Sequence, residues 1–184
     1  MLRRLVITVL FVGMSLSSAC LPCCGNTVAG DSAAPLTVEP LAFVGDRWVP
    51  VEEGSAFPTI IGGQGFTMMV VGARAQNVDT CGVGLRATLT RTDREKVIYD
   101  AEDDFNLSFI DDSSAGSTDG EGTQGVQLIP CGIAIEDGCP VPVRIEVTMT
   151  DRLGHSATAS RTGTFSCGPL YGDCPADGGV DAGP

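Results

Sequence analysis

The sequence predicts an all-β protein, an antiparallel β-sandwich of the Ig-like kind, and three observations carry that expectation. Val83–Arg91 and Val143–Thr150 alternate apolar and polar residues with period two, the pattern of strands buried on one face. Short β-branched runs recur between turn-forming residues along the body. Beyond the N-terminal segment, no stretch of twelve or more residues carries an apolar stripe at helical spacing. The Cys–Trp–Cys arrangement of Ig domains is missing, because the single tryptophan, Trp48, precedes the body cysteines. The Ig-like expectation therefore concerns architecture alone.

The first element is an export signal, residues 1–19. Arg3 and Arg4 form its positive start, and Leu5 to Leu16 form an apolar run too short to span a bilayer. Ser17-Ser18-Ala19 then precede Cys20, so the segment resembles a bacterial lipoprotein lipobox, with Ser17 where leucine is usual. That resemblance implies cleavage before Cys20 and acylation of its thiol, which turns a soluble chain into an anchored one. Several acyl chains on one cysteine hold a protein stably where a single chain binds only marginally.

Residues 20–38 are small and polar and read as a flexible tether. The sandwich is expected over residues 39–168. Its strands are Leu41–Phe43, Arg47–Val51, Pro58–Ile61, Phe66–Ala75, Val83–Arg91, Val97–Tyr99, Phe105–Ile110, Gly125–Ile129, Val143–Thr150 and Ser156–Ser166. Phe66–Ala75 is apolar on both faces, as a central strand covered on both sides would be. Asp93-Arg94-Glu95, Asp137-Gly138 and Asp151-Arg152-Leu153-Gly154 suit hairpin turns. Asp111 to Gly122 is rich in Gly, Ser, Thr and acids and reads as a mobile loop. Residues 169–184 read as a disulfide-capped, then disordered, tail.

The chain carries a net charge of −12, which becomes −14 when Arg3 and Arg4 leave with the signal. Such a balance excludes a basic footprint for nucleic acid. No Lys or Arg lies between Lys96 and Arg144, whereas acids are dense there. Eight cysteines in an exported chain point to disulfides. With Cys20 acylated, Cys131 with Cys139 and Cys167 with Cys174 are the simplest local pairs. Cys81 is then left to reach Cys23 or Cys24, although sequence does not fix connectivity.

The runs Arg47-Trp48-Val49-Pro50-Val51-Glu52-Glu53-Gly54 and Ile61-Gly62-Gly63-Gln64-Gly65-Phe66, followed by a strand carrying Arg74, resemble a group of uncharacterised bacterial lipoproteins. Phe66 stands where that group carries a further glycine. The resemblance implies a small extracytoplasmic β-sandwich domain without known catalysis, and it assigns no active residue.

Candidate chemistry is sparse. His155 is the only histidine, and no Gly-x-Ser-x-Gly elbow exists to present a nucleophile. Two acidic groups, Asp103 with Asp104 and Asp111 with Asp112, offer hard oxygens of the kind that Ca²⁺ takes, without EF-hand spacing. Gly62-Gly63-Gln64-Gly65 lacks the Lys-Ser/Thr of a phosphate loop. The expectation is a non-catalytic structural or binding module without a cofactor, lipid-anchored to the outer membrane of a Gram-negative envelope. Its expected partners are the membrane, other envelope proteins or surface glycans. The alternatives are a calcium-assisted adhesion or carbohydrate-binding domain and a small envelope hydrolase.

Overall fold

The computed structural model describes residues 27–62, 67–118, 124–129 and 140–166. The expected signal, the acylation candidate Cys20, the paired candidates Cys131, Cys139, Cys167 and Cys174, and the expected C-terminal tail lie outside the described residues. Cys81 is buried and disulfide-bonded, with its partner also outside them.

All regular structure among the described residues is strand. The thirteen strands are β1 (Val28–Ala29), β2 (Thr37–Val44), β3 (Arg47–Pro50), β4 (Ile60–Ile61), β5 (Thr67–Gln76), β6 (Val78–Asp79), β7 (Val83–Arg91), β8 (Lys96–Phe105), β9 (Ser108–Phe109), β10 (Ser114–Gly116), β11 (Val126–Leu128), β12 (Val141–Thr150) and β13 (Ser156–Phe165). They form an antiparallel β-sandwich. One sheet runs β3-β2-β5-β10-β9, with β4 and β11 also on β5, and the other runs β13-β12-β7-β8. A small β1–β6 ladder closes one end.

The two alternating strands do what their pattern predicts. Val83, Leu85, Ala87 and Leu89 of β7 and Val143, Ile145, Val147 and Met149 of β12 are fully buried. Across from them β5 contributes Met69, Val71, Ala73 and Ala75 to the same core. The opposite side of β5 is covered too: Met68 and Val70 pack under Phe43, Trp48, Ile60 and Ile129. That second cluster is why β5 is apolar on both faces. Both edges of β5 are also filled, by β2 and β4 on one side and by β10 and β11 on the other.

Three expectations need correction. The segment read as a tether up to residue 38 is folded from Thr27 onward: Ala29 and Leu36 are buried, and Val28 and Ala29 pair with Asp79 and Val78. The loop expected at 111–122 contains β10, whose three residues are buried against β5. Small side chains hid it, since Ser114-Ala115-Gly116 carries no β-branched signal. The strand expected at Val97–Tyr99 does not stop before the acids: β8 is continuous from Lys96 to Phe105, and its acids line a sheet edge. Charges on an edge discourage pairing with other chains, which gives these carboxylates a structural reason.

Candidate binding groove

Among the described residues a groove of about 280 Å³ opens on the outer face of the first sheet, lined by Leu41, Trp48, Pro50, Arg74, Ile110 and the Ser117-Thr118 pair. Its floor follows from strand parity. Leu41 lies opposite Gly72 and Glu39 opposite Arg74, so these four side-chain positions share the outer face. Phe43 and Trp48 pair across the β2–β3 hairpin, their ring centroids 5.2 Å apart at 60°.

From this edge strand Trp48 lies inward across the sheet. A Cβ added at Gly72 would fall 2.7 Å from Trp48 Cζ3, and one at Gly125 would fall 2.6 Å from its Cη2. The two glycines thus form the bed on which the ring rests, since any larger residue would occupy the ring's place. The indole Nε1–H donates to the Thr118 carbonyl at 3.2 Å, fixing the far end.

Ser117 and Gln124 brace that end. Ser117 Oγ donates to the Gln124 carbonyl at 2.5 Å and accepts the Ala73 N–H at 3.3 Å. Gln124 Oε1 accepts the Thr118 N–H at 3.1 Å, and its Nε2 donates to Ser108 Oγ at 3.3 Å. At the other end Arg74 and Glu39 form a half-exposed ion pair at 3.7 Å. The groove therefore offers a braced aromatic ring, aliphatic walls and one pair of opposite charges. It contains no nucleophile placed beside a base.

The candidate residues read from sequence are elsewhere. Asp103 and Asp104 sit on exposed β8, where Asp103 accepts the Asp104 N–H. Asp111 bonds the backbone and hydroxyl of Ser113, while its neighbour Asp112 accepts the Gly30 N–H through its carbonyl. Bonds from Ser113 and Ser114 pull the Asp111 pKa down to about 2. Among the described residues no three His, Cys, Asp or Glu side chains converge as a metal site.

His155 closes the β12–β13 hairpin beside Asp151. The buried Asp151 carboxylate accepts the N–H groups of Leu153 and His155, both at 2.9 Å, and His155 Nδ1 lies 3.3 Å from its other oxygen without hydrogen-bond alignment. Next to it, Arg152 Nε donates to buried Asp79 at 2.5 Å, and Arg152 Nη2 donates to Thr27 at 3.2 Å. These bonds fasten the N-terminal segment to the hairpin, and they account for both buried carboxylates structurally. Burial raises the Asp79 pKa, but the bonds from Thr27, Cys81 N–H and Arg152 outweigh it and hold the group below its ordinary value.

Asp100 is also held low, first by its bonds from Arg86, and Glu53 by its bonds from Thr162. A carboxylate depressed in the folded state adds stability above its unfolded pKa of about 4, which is lost as pH falls through the folded value. Urea midpoints are accordingly expected to be flat above about pH 5 and to fall between pH 4 and 2. Asp79→Asn should lower the plateau and flatten that fall, and an unchanged slope in this variant would show that Asp79 does not contribute.

Sequence reasoning passed over Trp48, Gly72 and Gly125 as a unit. The available signal was Gly72 inside an apolar strand, since a strand glycine often marks close approach by another group.

No family model and no curated protein matches this chain. Among solved structures it is similar to one described as CopC from Methylosinus trichosporium OB3b, at 12% identity and a TM-score of 0.31, over 71% of this chain and 99% of that one. The assignment as an antiparallel sandwich rests on the strand pairing described above.

Proposed function

We propose that this protein is a lipid-anchored, non-catalytic binding module of the bacterial envelope, with the Trp48 groove as its contact surface. The observation that carries the reading is the seating of Trp48. A large aromatic ring is held on a glycine bed by a hydrogen bond at its far end, yet it still lines an open groove. Fixing an aromatic side chain beforehand lowers the entropy lost when a partner binds. The lipobox resemblance around Cys20 supports the anchor. The partners proposed are surface glycans or other proteins of the outer membrane, met while the lipid holds the domain at the surface.

Two measurements test the two halves separately. Cys20→Ala should move the protein from the membrane fraction to the soluble one, and the wild type should carry acyl mass on a chain starting at residue 20. A mature N-terminus elsewhere without added mass would remove the anchor. Because Trp48 is the only tryptophan, its fluorescence reports on the groove without background. Titration of purified envelope glycans and outer-membrane extract fractions should shift that emission saturably. Arg74→Ala should weaken binding about tenfold, as loss of one contact group does. Leu153→Ala, at the exposed hairpin tip, should not change it. If no fraction shifts the emission, the groove is not the contact surface.

A further inference from the structure

The second sheet ends in two edges that are treated differently. On β8, Lys96, Asp100, Glu102, Asp103 and Asp104 place charge along the strand. On β13, residues 156–160 read Ser-Ala-Thr-Ala-Ser, with no charge, no proline and no bulge against β12. Native sheets ordinarily guard an edge by one of those devices, and an unguarded edge is a template for another strand.

The other half of the same edge already takes one. Gly54 N–H and Phe57 N–H donate to the Thr162 and Thr164 carbonyls at 2.8 Å, and Thr164 N–H donates to the Ser55 carbonyl at 3.0 Å. Thr162 N–H donates to the Glu53 carboxylate at 3.0 Å, where that in-chain segment stops. The even-numbered residues of β13 thus direct both N–H and C=O away from β12. By the alternation of an antiparallel ladder, Ser156, Thr158 and Ser160 do the same. All three are exposed, and among the described residues the one side-chain bond on these outward groups is from Arg161 Nη1 to the Ser160 carbonyl, at 2.8 Å.

We infer that this open half-edge pairs with the same segment of a second copy of the chain. The sequence Ser156-Ala157-Thr158-Ala159-Ser160 is a palindrome centred on Thr158. Antiparallel pairing about a two-fold axis at Thr158 sets serine against serine, alanine against alanine and threonine against threonine. An isologous interface requires that self-complementarity. About six backbone hydrogen bonds would form, two for each of the three outward-facing positions. On the outer face, Thr148 and Thr158 hydroxyls are already bonded at 2.9 Å and those of Thr150 and Ser156 at 3.1 Å. The partner strand extends this hydroxyl ladder by one more row. On the inner face this half of the edge carries only the small Ala157 and Ala159. The contact is small beside a standard protein interface, so the pairing is weak in dilute solution.

Sedimentation of the full mature chain with Cys20→Ala tests this, and the result does not depend on whether residue 20 is acylated in the cell. The weight-average mass should rise from monomer toward dimer as concentration increases from micromolar to millimolar. Amide exchange at Thr158 and Ser160 should slow over the same range. Thr158→Lys sets two lysines opposite each other and should raise the dissociation constant by at least about tenfold. Thr158→Pro removes an outward N–H that β12 does not use, so it should also abolish pairing while thermal melting stays cooperative. Val97→Lys, on the β8 edge, should leave pairing intact. A mass that stays monomeric at millimolar concentration would overturn the inference, as would a dimer insensitive to Thr158→Lys and Thr158→Pro.

Discussion

Leu85→Ala or Ile145→Ala is expected to destabilise the fold by about 2–5 kcal/mol, whereas Thr88→Ala or Thr148→Ala should cost well under about 1. Leu85 and Ile145 have no exposed surface, and each stands on the inward side of a long strand in the second sheet. Truncation removes apolar contact and leaves a cavity that flanking strands, fixed by hydrogen bonds on both sides, cannot collapse to fill. Thr88 and Thr148 point the other way, into half-exposed positions among polar neighbours. Thr88 does donate to Asp100 at 3.1 Å, so its small loss should shrink further at low pH as that carboxylate is protonated. Urea denaturation of the four variants decides the matter, and equal losses on the two faces would mean that the outer face is also covered.

Gly72→Ala is expected to destabilise the first sheet strongly for a change of one methyl group. Its new Cβ would lie 2.2 Å from Ser117 Oγ and 2.7 Å from both Ser117 Cβ and Trp48 Cζ3, so ring and serine must both move. Overpacking of this kind costs about 1–3 kcal/mol. Displacing Ser117 also loosens its bonds to Ala73 and Gln124. Trp48 emission should shift to the red as the ring lifts toward water. Gly84→Ala is the matched control: its nearest neighbour is the end of the Asp104 side chain at 3.1 Å, which can swing away, so its effect should stay within about 1 kcal/mol. Equal effects at the two glycines would show that the ring is not seated where described.

These two experiments fall on parts of the molecule that the sequence discloses unequally. The inward sets of β7 and β12 were legible because period-two alternation records a strand with one buried face, and the observed bounds agree closely with those read from the pattern. The two-sided apolar character of β5 was legible as well, but not its cause. The cover on its outer face comes from Phe43, Trp48, Ile60 and Ile129, which no local pattern links. β1, β6 and β10 were missed for a physical reason: each has two or three residues and is fixed by partners distant in sequence rather than by its own propensity. The groove shares that origin, since Trp48, Gly72, Ser117 and Gly125 come from four separate stretches of chain.

The four neighbours of β5 have a consequence for the time course of folding. Its partners are drawn from residues 37–42, 60–61, 114–116 and 126–128, so half of them are still missing when β5 itself has been synthesised. The second sheet meets no such delay in its hairpins, because β7 with β8 and β12 with β13 are joined by short turns. Local hairpins close in microseconds, while pairings across long loops wait on chain diffusion. Refolding is therefore expected to protect the amides of β7, β8, β12 and β13 before those of β5. During that interval the edge of β5 that β10 and β11 later fill stays unpaired, which leaves an apolar strand open to pairing with other chains.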